Sequence, residues 1–378
     1  MMYENNNPYG FRRASIRIVP ERDNDIFLVK HKLAEDLVNF IKSAISSDHP
    51  FSIVIDGAPG IGKTQLLYYI ANQVKEICFP LYVCVPDSFP KGGYLDLHEA
   101  IMYKIGSDRL KKIFIKVIQT KLLNFPEEIS TRKISPSEIS FTNEFLKITE
   151  GKISEDNWCA FHSFITGNRI SQKEMRILNL TKEQISEENA VEILNDIARA
   201  LKIINSKPLL LLIDEMDHFD TLKDNFIGKL RHAIRGLAES TDLGKIFAFT
   251  GRAQERLFMN DPTVARRITK SVTIPEYTPE ELLLFLKEQI QYFRLKNFDP
   301  TPYIKKIEGI SERITVESYP FTEEALESIV KKVEEAKANG YLENLRPSEP
   351  MELAAQTVIH GYYCKRPYLD TSDVEASL

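Results

Sequence analysis

The sequence predicts an α/β fold in which helices flank a parallel sheet, with a helical insertion and a C-terminal helical domain. Three observations lead to this prediction. Short apolar runs typical of buried strands alternate with segments of helical periodicity. A glycine-rich loop, GAPGIGKT (57–64), joins the first such run to a helix. After IPEYTP (274–279), the pattern contains helices only.

Four apolar runs are predicted to form the sheet. They are FSIVID (51–56), LYVCVP (81–86), LLLLID (209–214) and KIFAFTG (245–251). Helical stretches separate them, and strands joined by helical crossovers run parallel. A further short extended segment is predicted just after Arg266 and Arg267.

The second and third strands are separated by more than a hundred residues, which is too long for a single crossover. We therefore predict a helical insertion at about 88–190. Within it, NFPEEISTRKISPSEIS (124–140) has the prolines and serines of a loop. ENAVEILNDIARALKII (188–204) has the apolar spacing of an amphipathic helix that leads into the third strand.

Two helix starts are predicted in the C-terminal domain. Thr278, followed by Pro279 and Glu281, has the pattern of a capping box. Thr322 is a weaker candidate, because Ala325 stands where a capping box has Glu or Gln.

Composition excludes several classes of protein. Lys and Arg total 49 against 54 Asp and Glu, so the net charge of −5 gives no overall basic field for nucleic acid. The four cysteines, Cys78, Cys84, Cys159 and Cys364, lack CxxC spacing, which predicts buried free thiols rather than a zinc site or disulfides. The N-terminal segment resembles no signal peptide, and no apolar run is long enough to span a membrane. We expect a soluble, cytoplasmic protein without a membrane partner.

The loop GAPGIGKT carries the pattern G-x-x-x-x-G-K-T. In this pattern backbone N–H groups hold phosphate oxygens, a lysine (here Lys63) adds charge at the β and γ phosphates, and a threonine (here Thr64) binds Mg²⁺. A chance glycine loop is disfavoured, because the required strand and helix flank the motif. We therefore expect ATP and Mg²⁺ as cofactors. The predicted nucleotide-binding residues of the loop are Gly57, Ala58, Pro59, Gly60, Ile61, Gly62, Lys63, Thr64 and Gln65.

The run LLLLIDEMD places two carboxylates at the end of a buried strand. The carboxyl ends of parallel strands form the ligand-binding edge of such a sheet, so Asp214 is a candidate Mg²⁺ ligand. Glu215 is a candidate to orient or deprotonate the attacking water. The alternative is that Glu215 and Asp217 only cap the following segment.

Three further residues are candidates for catalysis. Thr250 ends the strand FAFTG, where its hydroxyl can contact either the γ-phosphate or the water. Arg266 and Arg267 are candidates to reach the transferred phosphoryl group of a neighbouring subunit. A surface salt bridge or a simple phosphate contact is the alternative for either arginine.

Together these segments resemble the AAA+ ATPases, and among them the origin-recognition and helicase-loading branch. FLVKHKLAEDLVNF (27–40) is similar to the family's entry helix, GAPGIGKT to its Walker A motif and LLLLIDEMD to its Walker B motif. FAFTG is similar to the sensor-1 strand, and IPEYTPEELLLFL to the start of the lid. The resemblance implies a P-loop NTPase (AAA+) fold, with a nucleotide-binding domain at 1–276 and a helical lid domain at 277–378.

The resemblance has implications for the lid and the assembly as well. The family's sensor-2 arginine corresponds to NLRPSEP, where Arg346 precedes the proline. The resemblance also implies a homo-oligomer, in which Arg266 or Arg267 would reach the nucleotide of a neighbouring subunit. The region around WCAFHSFITGNRISQKEMRILNL (158–180) is in addition similar to archaeal ATPases and to ATP-binding proteins of BREX-type phage-defence systems.

Two functions follow from these predictions. The first is an ATPase that couples Mg·ATP binding and hydrolysis to assembly and to remodelling or loading a partner, in a DNA transaction such as replication, transposition or phage defence. The second is a nucleotide-gated scaffold with slow or partner-activated hydrolysis. In the second, the insertion would bind a protein partner through Trp158, Phe161 and Phe164, unless these aromatics are core residues.

Two other possibilities have less support. A P-loop kinase for a small molecule is disfavoured, because a helical lid rather than an acceptor site follows the acidic pair. Contact with DNA is possible through two groups of basic residues, although such groups are usually solvated helix faces. They are Arg12, Arg13 and Arg17 near the N-terminus, and Lys104, Arg109, Lys111, Lys112 and Lys116 in the insertion.

Overall fold

The computed structural model describes residues 8–113, 155–178, 180, 182–205, 207–240, 243–250, 257, 262–307, 309 and 312–377. The chain forms two compact units. The sheet unit comprises Asn39–Asp56 and Gln73–Val272, and the loop–lid unit comprises Met1–Val38, Gly57–Asn72 and Thr273–Leu378. The division expected between residues 276 and 277 stays a prediction.

The sheet has five strands in the order β2-β3-β4-β1-β5. Adjacent strands pair in parallel at β2–β3, β3–β4 and β4–β1. The predicted parallel sheet is therefore confirmed. Its strands are β1 (Ser52–Asp56), β2 (Phe79–Cys84), β3 (Leu209–Asp214), β4 (Leu243–Phe249) and β5 (Lys270–Thr273).

β2 begins two residues earlier than the sequence predicted. The N–H of Phe79 donates to the Pro208 carbonyl at 2.8 Å, so pairing with β3 extends back to this residue. β5 is the extended segment predicted after Arg267.

Helices surround the sheet and form most of the loop–lid unit. In chain order they are α1 (His31–Ser46), α2 (Lys63–Val74), α3 (Tyr94–Ile105), α4 (Glu155–Ile165), α5 (Gln172–Ile177), α6 (Glu187–Asn205), α7 (Asp224–Glu239), α8 (Pro262–Ala265), α9 (Pro279–Phe293), α10 (Thr301–Ile304), α11 (Glu323–Ala338), α12 (Ser348–Tyr363) and α13 (Thr371–Ala376). A 3-10 helix, Met216–Thr221, follows β3. Within the described parts of the chain, no helix has the length and apolar character needed to cross a bilayer.

β4 is buried along its whole length, although it contains Lys245. The Lys245 ammonium donates to the Ser240 carbonyl at 2.7 Å and lies 3.4 Å from that of Ala238. Both carbonyls belong to the carboxyl end of α7, where the helix dipole favours a positive charge. The lysine thus joins β4 to the end of α7.

The described part of the insertion is helical, as predicted, and contributes to the core of the sheet unit. Trp158 and Phe161 of α4 are only 2% and 1% exposed, and Phe164 packs against the same core. The Trp158 indole also donates to the Ser107 hydroxyl at 2.9 Å. Of the two alternatives for these aromatics, the core role is therefore confirmed for Trp158 and Phe161, because both rings are buried within the unit. The predicted loop at 124–140 and Lys116 lie outside the described residues.

Both predicted helix starts in the loop–lid unit are confirmed. The Thr278 hydroxyl accepts from the Glu281 N–H at 3.2 Å, and the Glu281 carboxylate accepts from the Thr278 N–H at 3.0 Å. The Thr322 hydroxyl accepts from the Ala325 N–H at 3.1 Å. Thr322 caps α11 by this one bond, because the Ala325 side chain has no oxygen that could accept a hydrogen bond from the Thr322 N–H.

The N-terminal arginines make contacts inside the loop–lid unit. Arg13 pairs with Asp23, which is 1% exposed, and the Arg12 guanidinium lies 3.9 Å from the centre of the Tyr292 ring. Arg17 pairs with Glu352 at 3.3 Å. For Arg12 and Arg13, an intramolecular role explains the basic cluster better than contact with DNA.

All four cysteines have free thiols, but only Cys78 is buried. The prediction of buried thiols is thus wrong for the other three. Cys84 ends a strand, Cys159 lies on the outer face of α4, and Cys364 follows α12, so each lies where its side chain reaches solvent.

Candidate nucleotide-binding site

The phosphate loop, residues 57–64, follows β1 without a break and leads into α2. Gly60 and Gly62 have φ angles of 74° and 107°. This left-handed backbone is readily adopted by glycine and disfavoured for residues with a Cβ atom. The glycine spacing of the motif is therefore required by the path of the loop, and α2 begins at Lys63, so that the last two residues of the motif form the first residues of the helix.

Lys63 is held over the loop by two backbone carbonyls. Its ammonium donates to the Gly57 carbonyl at 2.6 Å and to the Ala58 carbonyl at 3.1 Å. Hydrogen bonds between a cation and phosphate oxygens are stronger than those to neutral carbonyls. A phosphate in the loop would thus compete effectively for this ammonium group.

Arg346 of the lid contacts the phosphate loop directly. Its Nη1 donates to the Pro59 carbonyl at 3.0 Å. The start of α12 is also close to Gly60, since a Cβ atom on that glycine would lie 2.5 Å from the Ser348 hydroxyl. The structure therefore brings the predicted sensor-2 residue to the predicted phosphate loop.

Glu349, which the sequence analysis did not single out, binds the other side of Arg346. Both Glu349 carboxylate oxygens lie 2.9 Å from Arg346 Nε, and Oε1 lies 2.6 Å from Nη2. The Ser348 hydroxyl donates to the same carboxylate at 2.6 Å. The spacing of three residues between Arg346 and Glu349 was the available signal, although Arg346 precedes α12 and only Glu349 lies on the helix.

A cavity of about 280 Å³ opens beside the phosphate loop, within the loop–lid unit. Residues 60–65 form one wall, and the other walls carry mainly apolar side chains, together with Arg17 and Ser348. Apolar pockets with a few polar groups are typical of small-molecule sites. The apolar residues of the walls include Ile18, Phe27, Tyr277, Phe285 and Met351.

Gln65 supports a wall of this cavity. Its side-chain amide donates to the carbonyls of Asp23 at 2.5 Å and Ile26 at 2.8 Å. The segment that contains these carbonyls lines the cavity through Ile26 and Phe27. The side chain of this predicted nucleotide-binding residue therefore positions the N-terminal segment.

The second group of candidate residues lies at the carboxyl edge of the sheet, within the sheet unit. β1, β3 and β4 are parallel neighbours, with Asp56 in register with Phe249 and Ile213 in register with Phe247. Asp214 and Thr250 therefore follow at the edge where Asp56 leads into the phosphate loop. Ligands of such sheets bind at this edge.

Asp214 is 2% exposed, and both of its carboxylate oxygens are hydrogen-bonded. One oxygen accepts from the Tyr82 hydroxyl at 2.8 Å and the other from the Glu215 N–H at 2.9 Å. Burial and the nearby Asp214 carboxylate raise the pKa of Tyr82, which keeps this tyrosine a neutral donor. An oriented carboxylate suits Mg²⁺, which prefers hard oxygen ligands, and the Thr64 hydroxyl is of the same chemical type.

Glu215 is exposed and has a left-handed backbone, with φ 58° and ψ 36°. This conformation is uncommon for a residue other than glycine and is found preferentially at functional sites. Glu215 precedes the 3-10 helix, but its side chain makes no capping hydrogen bond there. The structure therefore gives no support to the alternative that Glu215 only caps the 3-10 helix that follows it.

Asp217 binds Thr250 through both of its carboxylate oxygens. One oxygen accepts from the Thr250 N–H at 2.6 Å, and the other pairs with the Thr250 hydroxyl. An ionised carboxylate can only accept, so the hydroxyl donates its proton to Asp217. The Thr250 hydroxyl oxygen can then only accept a hydrogen bond from another group. A water molecule can donate such a bond, whereas an ionised phosphate oxygen cannot.

The two candidate arginines differ in their surroundings. Arg267 pairs with Glu239 at 3.2 Å, as the salt-bridge alternative predicted, and Arg235 binds the same carboxylate at 3.0 Å. Arg266 is exposed on the turn that follows α8. The salt-bridge alternative therefore holds for Arg267, and the role of Arg266 across subunits stays a prediction.

The parallel sheet, phosphate loop and strand-end carboxylates define a P-loop NTPase. Residues 30–249 match the KAP family P-loop domain. This match covers more than half of the chain, which therefore belongs to the KAP family. A search of curated protein sequences finds no match.

Solved structures show the same fold at low sequence identity. The Aeropyrum pernix ORC2 protein, in ADPNP–ADP complexes, is 14% identical with a TM-score of 0.51, and the match covers 93% of this chain and 67% of that one. Drosophila ORC bound to DNA is 11% identical with a TM-score of 0.51, and the match covers 97% of this chain and 63% of that one. This chain thus corresponds to about two thirds of either protein. The predicted P-loop NTPase fold is confirmed, and these origin-recognition proteins share it.

Proposed function

We propose that this chain is a Mg²⁺-dependent ATPase of the AAA+ kind. Nucleotide binding and hydrolysis would control its assembly into a homo-oligomer and its action on a partner in a DNA transaction. The observation that carries the proposal is the contact between Arg346 and the Pro59 carbonyl, because it joins the lid to the phosphate loop beside the cavity.

The loop–lid unit supplies the binding groups for the nucleotide. The apolar walls of the cavity suit an aromatic base, and the loop with Lys63 and Arg346 suits the phosphates. Both side chains are cationic, and charge-assisted contacts to phosphate are among the stronger hydrogen bonds in proteins.

The edge of the sheet supplies the groups for hydrolysis. Glu215 would accept the proton of the water as its oxygen attacks the γ-phosphorus and the bond to the ADP oxygen breaks. Thr250, oriented by Asp217, would accept a hydrogen bond from the same water. Asp214 and Thr64 would hold Mg²⁺, which when bound neutralises phosphate charge.

Oligomer formation and DNA have indirect support. Exposed Arg266 is the candidate to complete the site of a neighbouring copy. One structural neighbour, Drosophila ORC, is bound to DNA in its structure. A nucleotide-gated scaffold is the second candidate function. The Arg267–Glu239 pair favours it, since this pair engages one of the two candidate arginines within its own chain.

The test is steady-state ATP hydrolysis by the wild type and Glu215→Gln, with and without duplex DNA, while light scattering follows assembly. General base catalysis is worth about 10²- to 10⁴-fold, so we expect turnover to fall by at least about 10²-fold. Affinity for ATP and ATP-dependent assembly should remain. Glu343→Gln removes an equivalent charge from an exposed lid residue and serves as the control.

The outcomes separate the two functions. Stimulation by DNA supports the role in a DNA transaction. Assembly with ATP but no turnover by the wild type indicates the scaffold. A wild type that neither binds nor hydrolyses ATP contradicts both.

A further inference from the structure

Arg346 makes contacts on two sides at the start of α12. On one side its guanidinium donates to the Pro59 carbonyl of the phosphate loop, and on the other it binds both oxygens of the Glu349 carboxylate. The Arg346 and Glu349 side chains are 27% and 30% exposed. The ion pair is therefore partly shielded from water and next to the site of the phosphates.

The Glu349 carboxylate is held in place independently of Arg346. The Ser348 hydroxyl donates to it at 2.6 Å, and Ser348 itself packs at the Cα of Gly60. A bidentate arginine–carboxylate pair has the same fork geometry as an arginine–phosphate pair. Glu349 and a phosphate therefore compete for the same donors, since the Nε and Nη2 groups of Arg346 already contact the carboxylate.

We propose that Glu349 is a positioning residue that competes with the terminal phosphate of the nucleotide for Arg346. It would hold the arginine at the loop and reduce the advantage that ATP gains over ADP. Glu349 would in this way set the discrimination between triphosphate and diphosphate. The inference rests on the proposed function, because it requires that nucleotide phosphates occupy the loop.

A double-mutant cycle tests the inference. The dissociation constants of ATP and ADP, with Mg²⁺, are measured for the wild type, Glu349→Gln, Arg346→Ala and the double variant. Glu349→Gln keeps the shape of the side chain but removes its charge, so we expect ATP to bind about three- to tenfold more tightly. ADP affinity should change by less than about twofold, because ADP lacks the terminal phosphate.

The double variant identifies the route of the effect. If Glu349 acts through Arg346, Glu349→Gln has no effect on ATP affinity in the Arg346→Ala background. Glu343→Gln, which removes a charge from an exposed residue of the same lid, should leave both affinities unchanged. Glu349→Asp retains the charge on a shorter side chain and should give a smaller change than Glu349→Gln.

Three results would overturn the inference. They are weaker ATP binding by Glu349→Gln, an equal gain for ATP and ADP, and an effect of the same size without Arg346. Thermal melting of each variant establishes that it is folded. A wild type that binds neither nucleotide would contradict the proposed function itself, whereas normal binding with an unresponsive Glu349→Gln contradicts only this inference.

Discussion

The phosphate loop of the loop–lid unit and the strand edge of the sheet unit are built in different ways. In the loop–lid unit, backbone carbonyls and a carboxylate hold two cations, Lys63 and Arg346. At the sheet edge, a tyrosine hydroxyl and a carboxylate hold two oxygen-bearing groups, Asp214 and Thr250. The first part offers positive charge to phosphates, and the second offers oriented oxygens to a metal ion and a water. We therefore expect the first to control nucleotide affinity and the second to control metal dependence and turnover.

The largest effect that separates the two parts is expected for Lys63→Ala. Loss of a charged hydrogen-bond donor costs about 1.5–3 kcal/mol, so nucleotide affinity should fall about 10- to 100-fold. The fall should be the same with and without Mg²⁺, because Lys63 acts on the phosphates directly. Titration with a fluorescent ATP analogue measures it.

Lys42→Ala, at an exposed position of α1, is the matched control and should bind like the wild type. If affinity fell for Lys63→Ala only when Mg²⁺ was present, the assignment of this lysine to the phosphates would be wrong.

A smaller effect, on turnover rather than affinity, is expected for Asp217→Asn. The substitution leaves a neutral amide opposite the Thr250 hydroxyl, so this hydroxyl is no longer held as an acceptor for the water. Turnover should fall about tenfold, the scale of one lost charged hydrogen bond, with unchanged ATP affinity. Single-turnover hydrolysis at saturating ATP measures the step.

Asp220→Asn, on the same 3-10 helix and exposed, controls for the loss of charge. Thr250→Val should slow turnover by a similar factor. In the Thr250→Val background, adding Asp217→Asn should cause no further loss of turnover. Additive losses from the two substitutions would show that the residues do not act as a pair.

The smallest effect is expected for Tyr82→Phe, which removes only the hydroxyl that orients Asp214. A single hydrogen bond is worth on the order of 0.5–1.5 kcal/mol, and this one would affect the metal ion only through Asp214, so the Mg²⁺-dependent part of ATP affinity should weaken about two- to tenfold. Affinity measured in EDTA should not change. The measurement is ATP binding as a function of Mg²⁺ concentration.

Tyr103→Phe, at a tyrosine that is 81% exposed on α3, is the control. An equal loss of affinity in EDTA would place Tyr82 with the groups that act on the phosphates, and would remove the distinction between the two parts.

The groups predicted from the sequence lie where local patterns fix them. The phosphate loop was predictable because Gly60 and Gly62 need a backbone that glycine readily adopts. The caps at Thr278 and Thr322 depend on residues three positions apart. Asp214 was predictable because an apolar strand ends there.

The partners of these groups were decided by the tertiary structure. Tyr82 and Asp214 are 132 residues apart in the chain, and Arg346 and Pro59 are 287 apart. A strand tyrosine and a helix glutamate look ordinary until packing brings them to a functional group. Even Asp217 and Thr250, 33 residues apart, meet only because β3 and β4 are neighbours in the sheet.

The fold class, the phosphate loop and the position of the acidic pair follow from the amino-acid sequence, because they depend on periodicity and on the backbone freedom of glycine. The core position of Trp158 and the pairing of Arg267 with Glu239 emerge only in the folded chain. Burial and ion pairing of this kind depend on contacts between segments that are far apart in the chain, which no local pattern encodes.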